Sequence, residues 1–416
     1  MRRLVFYILI PLFILIINKQ AFSQLIDTVF TKGVKEDTVI VVDKSKKQLF
    51  VIKINNDVPE IDTIYENILL GEVEGDKQVE GDKKTPEGIY KIVSFIPKEK
   101  LSAIYGDGAY PLNYPNPVDK ILGKTGYGIW IHGLDESSDK QFTQGCVALH
   151  NGDINNLRKF EPIGKNVIIA KETKLLGSTD YIFLKSKLIN ILNDYISSWE
   201  KNDFEKFASF YHTKFKNNKG KSFKSYILMK KRLMELYPFR RIYYDNLKIL
   251  KGDDRYLYYG FRQLYCASNL ISEGYKELYF MKQIDDYKLI YENFYEYSDL
   301  SILKKYISEF VQSWLDYWKS KNIEEYIKFY GENFYSKGMD KSAWKAYKEK
   351  IFNNTQDIDI KIKDMKIVPL NSNNITVSFI QSYSADNYSD VGYKVLKIKG
   401  CPGNFRIFSE SWSKIE

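Results

Sequence analysis

The sequence predicts a multidomain protein in which a mostly-β domain is followed by two copies of an α+β domain. At 416 residues the chain is too long for one ordinary hydrophobic core. Residues 38–171 consist mainly of short apolar segments separated by turns, whereas the remainder is rich in Tyr, Phe and helical periodicity and repeats itself. These observations indicate a β-sandwich or barrel followed by a duplicated domain.

The first residues have the features of a secretory signal. Two arginines precede an apolar run over residues 4–17, and small residues stand at positions 21 and 23. We expect residues 1–23 to be a signal peptide cleaved after Ser23, with export to the periplasm or cell envelope. An uncleaved membrane anchor is the alternative. The apolar run argues against it, because the run is shorter than the roughly 20 residues of a membrane-spanning helix. Residues 24–37 are interpreted as a linker.

Residues 38–171, here called the β-domain, contain a predicted hairpin and three further strands. Apolar and β-branched residues alternate or run together in each strand, and turn-forming residues bound it. A short helix is predicted near the end of the β-domain. The predicted strands are 38–43 and 48–53, which form the hairpin, then one within 85–92, one at 127–132 and one at 167–170, and the helix is 153–160.

The rest of the chain repeats at a nearly constant offset. The aromatic pattern from Ser198 to Phe215 recurs 119 residues later, from Tyr317 to Phe334. Near the ends of the copies the offset is 118 residues. Two copies of one domain, residues 172–296 and 297–416, explain this pattern. Each copy begins with an amphipathic helix and ends in strands, so each is predicted to be α+β.

Charge and motif content exclude several classes of function. The formal net charge is +9, but the lysines are scattered among acidic residues and form no basic run that would indicate nucleic-acid binding. There is neither a metal-ligand spacing nor a phosphate-binding loop, so we predict no metal and no cofactor.

The three cysteines are Cys146, Cys266 and Cys401. Exported proteins usually pair their cysteines, and an odd count leaves at least one thiol free. Cys266 and Cys401 are not at equivalent positions of the two copies, so we interpret them as buried or incidental thiols. Cys146 is the cysteine for which a chemical role is expected.

The candidate chemistry lies in a histidine and a cysteine 14 residues apart. His132 is predicted to end a strand and is followed by Gly133, and Cys146 follows Gly145. A thiol must lose its proton to act as a nucleophile, and a nearby imidazole can accept that proton. A glycine before the cysteine allows a tight turn, in which backbone N–H groups can face an oxyanion. Alone, such a pair is more often a buried histidine and an inert thiol.

The flanking residues resemble the YkuD family of L,D-transpeptidases, whose signature is His-Gly followed by Ser/Thr-x-Gly-Cys. Residues 129–133, Ile-Trp-Ile-His-Gly, and residues 143–146, Thr-Gln-Gly-Cys, carry this resemblance. The TPEG-type segment at 85–90 extends it. The segment 110–116, Tyr-Pro-Leu-Asn-Tyr-Pro-Asn, is similar to the branch that contains helical-cell-shape L,D-carboxypeptidases.

The resemblance implies a thiol acyl-transfer enzyme that acts on peptidoglycan stem peptides. Cys146 would attack the carbonyl of the third stem residue, usually meso-diaminopimelate, and D-alanine would leave. His132 would accept the thiol proton, the Gly133 carbonyl would orient the imidazole, and the N–H groups of Gly145 and Cys146 would hold the oxyanion. An amine acceptor gives a 3–3 crosslink, whereas water gives an L,D-carboxypeptidase. An inactive wall-binding scaffold is the third alternative.

Three further residues are candidates for substrate contacts: Thr143, Gln144 and Tyr114. The chain also departs from the family pattern. Gln144 stands where many members carry His. Ala148 stands where many carry an Arg or Asn, and an Arg there would help hold a substrate carboxylate. Asn151 is a candidate replacement for that residue, although a turn role is the simpler interpretation.

The two copies resemble nuclear-transport-factor-like (SnoaL-like) domains, through the spacing of Trp, Phe and Tyr in and after their first helices. They would then act as spacers, or they would present a concave aromatic pocket that binds wall glycan or a protein partner. No acid/base pair in them suggests a second enzyme.

Overall fold

The computed structural model describes residues 24–415, apart from residues 136, 138, 140, 371, 372 and 387. The predicted signal peptide therefore lies outside the described residues. In the described part of the chain no helix is both long and apolar enough to cross a membrane. The architecture is mostly β, with a β-domain followed by two α+β copies, which confirms the predicted fold class.

The β-domain and its flanks consist of short strands with two short α-helices. Turns of 3-10 helix cover residues 98–100, 103–105 and 158–160. The elements are β1 (Leu25–Ile26), β2 (Val29–Lys32), β3 (Glu36–Asp43), β4 (Gln48–Asn55), β5 (Val58–Tyr65), β6 (Gly88–Lys91), β7 (Ile96–Pro97), β8 (Gly108–Pro111), α1 (Pro117–Leu122), β9 (Trp130–Gly133), β10 (Val147–Leu149), α2 (Asn151–Leu157), β11 (Asn166–Ala170) and β12 (Leu175–Leu176).

Two sheets face each other across the core of the β-domain. One has the strand order β5-β4-β3-β11-β6 and the other β10-β9-β8-β7. The predicted hairpin is the antiparallel pair β3–β4. Since side chains alternate along a strand, each sheet turns one apolar face inward. The buried cluster between the sheets includes Val42, Val51, Ile131 and Val147.

The main helices and the long strands follow the same order in the two copies, as the internal repeat predicts. In each, a long helix, a short helix and a third helix precede four long strands. The first copy contains α3 (Ser178–Glu200), α4 (Phe204–Ser209), β13 (Tyr211–Asn217), α5 (Phe223–Leu236), β14 (Arg240–Gly252), β15 (Tyr256–Ala267), β16 (Leu270–Gln283) and β17 (Asp286–Glu296); the second contains α6 (Ser301–Lys319), α7 (Ile323–Tyr326), a 3-10 turn at 327–329, β18 (Tyr335–Ser336), β19 (Met339–Asp340), α8 (Lys341–Asn354), β20 (Ile358–Pro369), β21 (Asn374–Ala385), β22 (Tyr388–Lys399) and β23 (Arg406–Lys414).

The long first helix of each copy is held against the sheet by one apolar face. In α6 the buried residues Ile307, Val311, Trp314 and Trp318 recur every three to four positions, which places them on one side of a helix. They join a single buried cluster with strand residues such as Val377. The corresponding face of α3 packs in the same way in the first copy.

The segment 24–37 is not the linker that the sequence suggests. Strand β1 pairs with β12, and β2 pairs with β14 at the edge of the first copy's sheet, with Phe30 opposite Ile249. Phe30 and Val29 are buried. The chain therefore contributes a strand to the first copy before it enters the β-domain.

The first copy is tightly joined to the β-domain. Ile89 and Ile168 of the β-domain share a buried cluster with Leu250 of the first copy. Charged pairs extend the contact: Lys248 lies 2.5 Å from Asp37, and Arg255 pairs with Glu87 of the TPEG-type segment. The first copy is therefore not a detached spacer.

A disulfide joins the two copies, which corrects the interpretation of Cys266 and Cys401 as incidental thiols. The two cysteines are bonded to each other across 135 residues of sequence, and both are buried. Cys266 lies in β15, and Cys401 follows β22. Cys146 is the one free cysteine among the described residues.

Replacing both Cys266 and Cys401 with serine is expected to loosen the second copy. The disulfide closes a loop of 135 residues, and the lost entropy of the unfolded chain stabilises the folded state by at most about 5 kcal/mol. Calorimetry should therefore show a lower first melting transition for the double variant. The control is Cys146→Ser, which leaves the disulfide intact and should melt like the parent. Identical melting of all three proteins would contradict this role.

Candidate active site

His132 and Cys146 lie on neighbouring parallel strands. In the register of β9 and β10, Ile131 is opposite Val147 and His132 is opposite Ala148. Continuing that register by one residue places Cys146 beside Trp130. Because side chains two apart along a strand share a face, His132 and Cys146 lie on the same face as diagonal neighbours.

The orientation of the His132 ring is fixed by its own strand. Its Nδ1 lies 2.6 Å from the Gly133 carbonyl oxygen, and a carbonyl only accepts hydrogen bonds. Nδ1 therefore carries the proton, and in the neutral ring Nε2 has the free lone pair. This is the tautomer that a general base requires.

Both groups favour their uncharged forms. Burial raises the pKa of the Cys146 thiol to about 11, although hydrogen bonding from the Trp130 backbone and the positive charge of Lys77 oppose this effect. Burial also lowers the pKa of His132, despite the bond to Gly133. The thiol donates to the Gly128 carbonyl at 3.3 Å. At neutral pH the site is therefore a neutral thiol beside a neutral imidazole.

The turn before the cysteine needs glycine. Gly145 has a φ of +126°, and a Cβ there would meet the Lys84 carbonyl oxygen at 2.8 Å. The Thr143 hydroxyl holds this turn: it accepts from the Gly145 N–H at 3.0 Å and donates to the Cys146 carbonyl at 2.7 Å. Thr143 thus has a structural role here. The Gly145 N–H is engaged with it, which leaves the Cys146 N–H as the oxyanion donor to consider.

The remaining predicted contact residues do not converge on the thiol. The side chain of Gln144 is exposed beside the turn. Tyr114 is buried in the core of the β-domain, and its hydroxyl donates to the Thr125 carbonyl at 3.0 Å. The interpretation of Tyr114 as a cleft residue is therefore corrected, because its ring packs inside the domain.

Asn151 does not replace the missing carboxylate-binding residue, because backbone groups occupy its amide. Its Oδ1 accepts from the Asp107 N–H at 2.9 Å, and its Nδ2 donates to the Leu134 carbonyl at 3.0 Å. The residue begins α2, and its amide joins the backbones of Asp107 and Leu134.

Tyr105 is a site residue that sequence reasoning missed. Its ring meets the His132 ring edge-on at 5.1 Å and lies 4.8 Å from Trp130, measured between centroids. Burial raises the pKa of Tyr105, and the negative charge of a Cys146 thiolate would raise it further. The sequence signal that could have indicated a tight turn here is the glycine at position 106, which has a φ of +57° in the structure.

The second copy contains a separate cavity of about 670 Å³. Lys348 lies over the Trp318 ring at 3.8 Å, and burial lowers the pKa of Lys348 to about 7. Lys394 pairs with Glu410 beside it. The first copy repeats the arrangement, with Lys230 over Trp199 at 3.9 Å. This duplicated lysine–tryptophan contact was not recognised in the sequence.

Comparison with known families matches both parts of the chain. The L,D-transpeptidase catalytic domain (YkuD) profile matches residues 37–169. The Cds6 C-terminal NTF2-like domain profile matches twice, at residues 187–293 and 306–411. The chain belongs to the L,D-transpeptidase (YkuD) family with Cds6-type NTF2-like C-terminal domains. The family resemblance predicted from the sequence is thus confirmed.

Solved structures give the same result. The structure of Bd1075 from Bdellovibrio bacteriovorus is 27% identical with a TM-score of 0.59, and the match covers 66% of this chain and 99% of that one. A point mutant of the helical cell shape determining protein Pgp2 from Campylobacter jejuni is 25% identical with a TM-score of 0.53, covering 64% of this chain and 93% of that one. Curated protein sequences gave no match.

These findings place the protein among peptidoglycan-active enzymes of the L,D-transpeptidase and carboxypeptidase family. The substrates of that family are peptidoglycan stem peptides, and an enzyme that acts on them works outside the cytoplasm.

Proposed function

We propose that this L,D-transpeptidase-family protein is a thiol acyltransferase that cleaves the bond between meso-diaminopimelate and D-alanine in stem tetrapeptides. Cys146 is the nucleophile and His132 the base. The observation that carries this proposal is the hydrogen bond from His132 Nδ1 to the Gly133 carbonyl, which leaves Nε2 free on the face that Cys146 shares.

The neutral pair defines the order of proton transfers. As the Cys146 sulfur attacks the carbonyl carbon, its proton passes to His132 Nε2, and the carbonyl oxygen becomes an oxyanion near the Cys146 N–H. When the tetrahedral intermediate collapses, the carbon–nitrogen bond breaks and the imidazolium gives its proton to the departing D-alanine amine. A thioester on Cys146 remains, and an amine or water then attacks it.

We propose an amine from a second stem as acceptor, which gives a 3–3 crosslink. Water as acceptor is the alternative and makes the protein an L,D-carboxypeptidase. Purified protein incubated with tetrapeptide muropeptides, followed by mass spectrometry, separates them. Dimers linked 3–3 support the transferase, and tripeptide monomers alone support the carboxypeptidase. No turnover by the wild-type protein supports an inactive wall-binding scaffold and overturns both.

The proposed location is the periplasm or cell envelope after export. The Cys266–Cys401 disulfide supports it, because structural disulfides persist mainly in oxidising compartments.

We also propose that the cavity of the second copy binds wall glycan. Five buried polar atoms on its walls have no hydrogen-bond partner among the described residues, and such atoms call for an explanation. Three are indole donors and two are oxygen acceptors: Trp318 Nε1, Trp344 Nε1, Trp412 Nε1, Gln381 Oε1 and Asp390 Oδ1. A saccharide has hydroxyls that both accept and donate, and flat C–H faces that pack on aromatic rings.

Replacing Trp412 with alanine is expected to weaken binding of a chitin tetrasaccharide by roughly tenfold or more, because a ring and a donor are lost together. Calorimetric titration of the full chain measures this. The matched control is Tyr393→Ala, since Tyr393 lies exposed on β22 outside the cavity lining. Absence of saccharide binding by the wild-type protein would leave a protein partner as the occupant to seek and would overturn the glycan assignment.

A further inference from the structure

The Asn151 side chain joins two backbone segments, each of which contains or directly follows a residue that contacts the His132 ring. Its Oδ1 accepts from the Asp107 N–H at 2.9 Å on one segment, and its Nδ2 donates to the Leu134 carbonyl at 3.0 Å on the other. Both amide atoms are thus engaged by backbone groups that are far from Asn151 in sequence. The orientation of the amide is defined, because the Asp107 N–H can bond only to the amide oxygen and the Leu134 carbonyl only to the amide nitrogen.

The contact is close enough to require glycine on both segments. A Cβ on Gly106 would lie 2.2 Å from Asn151 Oδ1, and a Cβ on Gly133 would lie 2.3 Å from the same atom. The amide oxygen therefore rests directly against the two backbones. A shift of the amide would change the position of Gly133, which is the residue whose carbonyl holds His132 Nδ1 at 2.6 Å.

The segment that contains Gly106 and Asp107 also contacts the imidazole, through the preceding residue. Tyr105 directly precedes Gly106, and its ring meets the His132 ring edge-on at 5.1 Å. Because Asn151 fixes Gly106 and Asp107, it also fixes where the Tyr105 ring lies. The imidazole is thus held by a carbonyl and by an aromatic ring, and the same amide positions both.

We propose that Asn151 is a positioning residue, which holds His132 in the orientation that accepts the Cys146 proton by clamping the Gly106–Asp107 and Gly133–Leu134 backbones together. The role rests on the proposed thiol chemistry, since Asn151 itself contacts neither the thiol nor the imidazole in the bonds described above. It gives this asparagine a function other than substrate binding or a turn.

The test uses Asn151→Ala and Asn151→Asp, with Asn155→Ala as the matched control. Asn155 lies one turn further along α2. Its Nδ2 donates to the carboxylate of Asp107 at 2.9 Å and not to the backbone. Two readouts are measured on the full chain: the rate of Cys146 alkylation by iodoacetamide, and kcat and KM for tetrapeptide muropeptides. Thermal melting shows whether each variant is folded. Asn151→Asp keeps the acceptor for Asp107 and provides a second, milder variant.

We expect Asn151→Ala to lower kcat by roughly 10- to 100-fold with little change in KM, and to slow alkylation toward the rate of His132→Ala. Asn151→Asp should fall between Asn151→Ala and wild type, and Asn155→Ala should match wild type. Folded Asn151 variants with wild-type kcat and alkylation would overturn the positioning role. If Cys146 in His132→Ala is alkylated at the wild-type rate and this variant also turns over muropeptides like wild type, the proposed thiol chemistry itself fails. That outcome is distinct from failure of the positioning role.

Discussion

Replacing Cys146 with alanine is expected to abolish turnover of stem tetrapeptides, with a loss of roughly 10⁴-fold or more. No other described cysteine can take over, because Cys266 and Cys401 are bonded to each other. Without the sulfur no thioester forms, so neither a crosslinked dimer nor a trimmed tripeptide should appear. Product formation measured by liquid chromatography and mass spectrometry tests this.

Gln144→Ala provides the control for the cysteine variant. Gln144 lies on the same turn but its side chain is exposed, so this change should leave the fold and most of the activity intact. Intact-protein mass spectrometry of the wild type, quenched during turnover, should show the acyl adduct. Turnover by Cys146→Ala at a rate near that of Gln144→Ala would rule out the thiol as nucleophile.

Replacing His132 with glutamine is expected to lower kcat/KM by roughly 10²- to 10⁴-fold, the usual contribution of a positioned general base. The effect should depend on pH. Burial lowers the pKa of His132, so the imidazole stays neutral and able to accept a proton into mildly acidic solution. Wild-type kcat/KM should therefore rise as pH increases through this lowered pKa, at a pH below the ordinary value of 6.5, and then level off.

The glutamine variant should lose that rise, because glutamine does not titrate. His150→Gln is the matched control, since His150 is an exposed histidine four residues after Cys146. It should keep both the rate and the pH profile of wild type. An unchanged acidic limb in His132→Gln would show that another group sets it.

Local patterns were sufficient to predict most of the fold. The predicted hairpin of 38–43 and 48–53 corresponds to β3 (Glu36–Asp43) and β4 (Gln48–Asn55), because apolar and β-branched residues mark each strand and a charged turn separates them. The duplicated domain was also visible, since the buried helix face that includes Trp199 and Trp318 must recur in both copies. Of the site, the strand that ends in His132 and the turn at Gly145 were predicted from their sequence motifs.

Long-range pairings were not predictable in this way. Strands β1 and β2 are two and four residues long, and their partners lie far along the chain, so no local periodicity marks them. The partner of Cys266 depends on how the copies dock. Asn151 looked like a turn residue or a substrate contact, because its bonds to the backbone of Asp107 and Leu134 arise only when distant loops meet.

The pairing of β2 with β14 has a consequence for any shortened form of this protein. A fragment that starts after the β-domain would lack Val29–Lys32, and the backbone donors and acceptors of Leu247–Leu250 would then face solvent along an uncovered strand. Such an unpaired edge strand can pair with strands of other chains, which favours aggregation. Producing the C-terminal copies alone would thus require adding β2 as a separate peptide, or replacing the apolar residues along the exposed edge of β14 with charged ones.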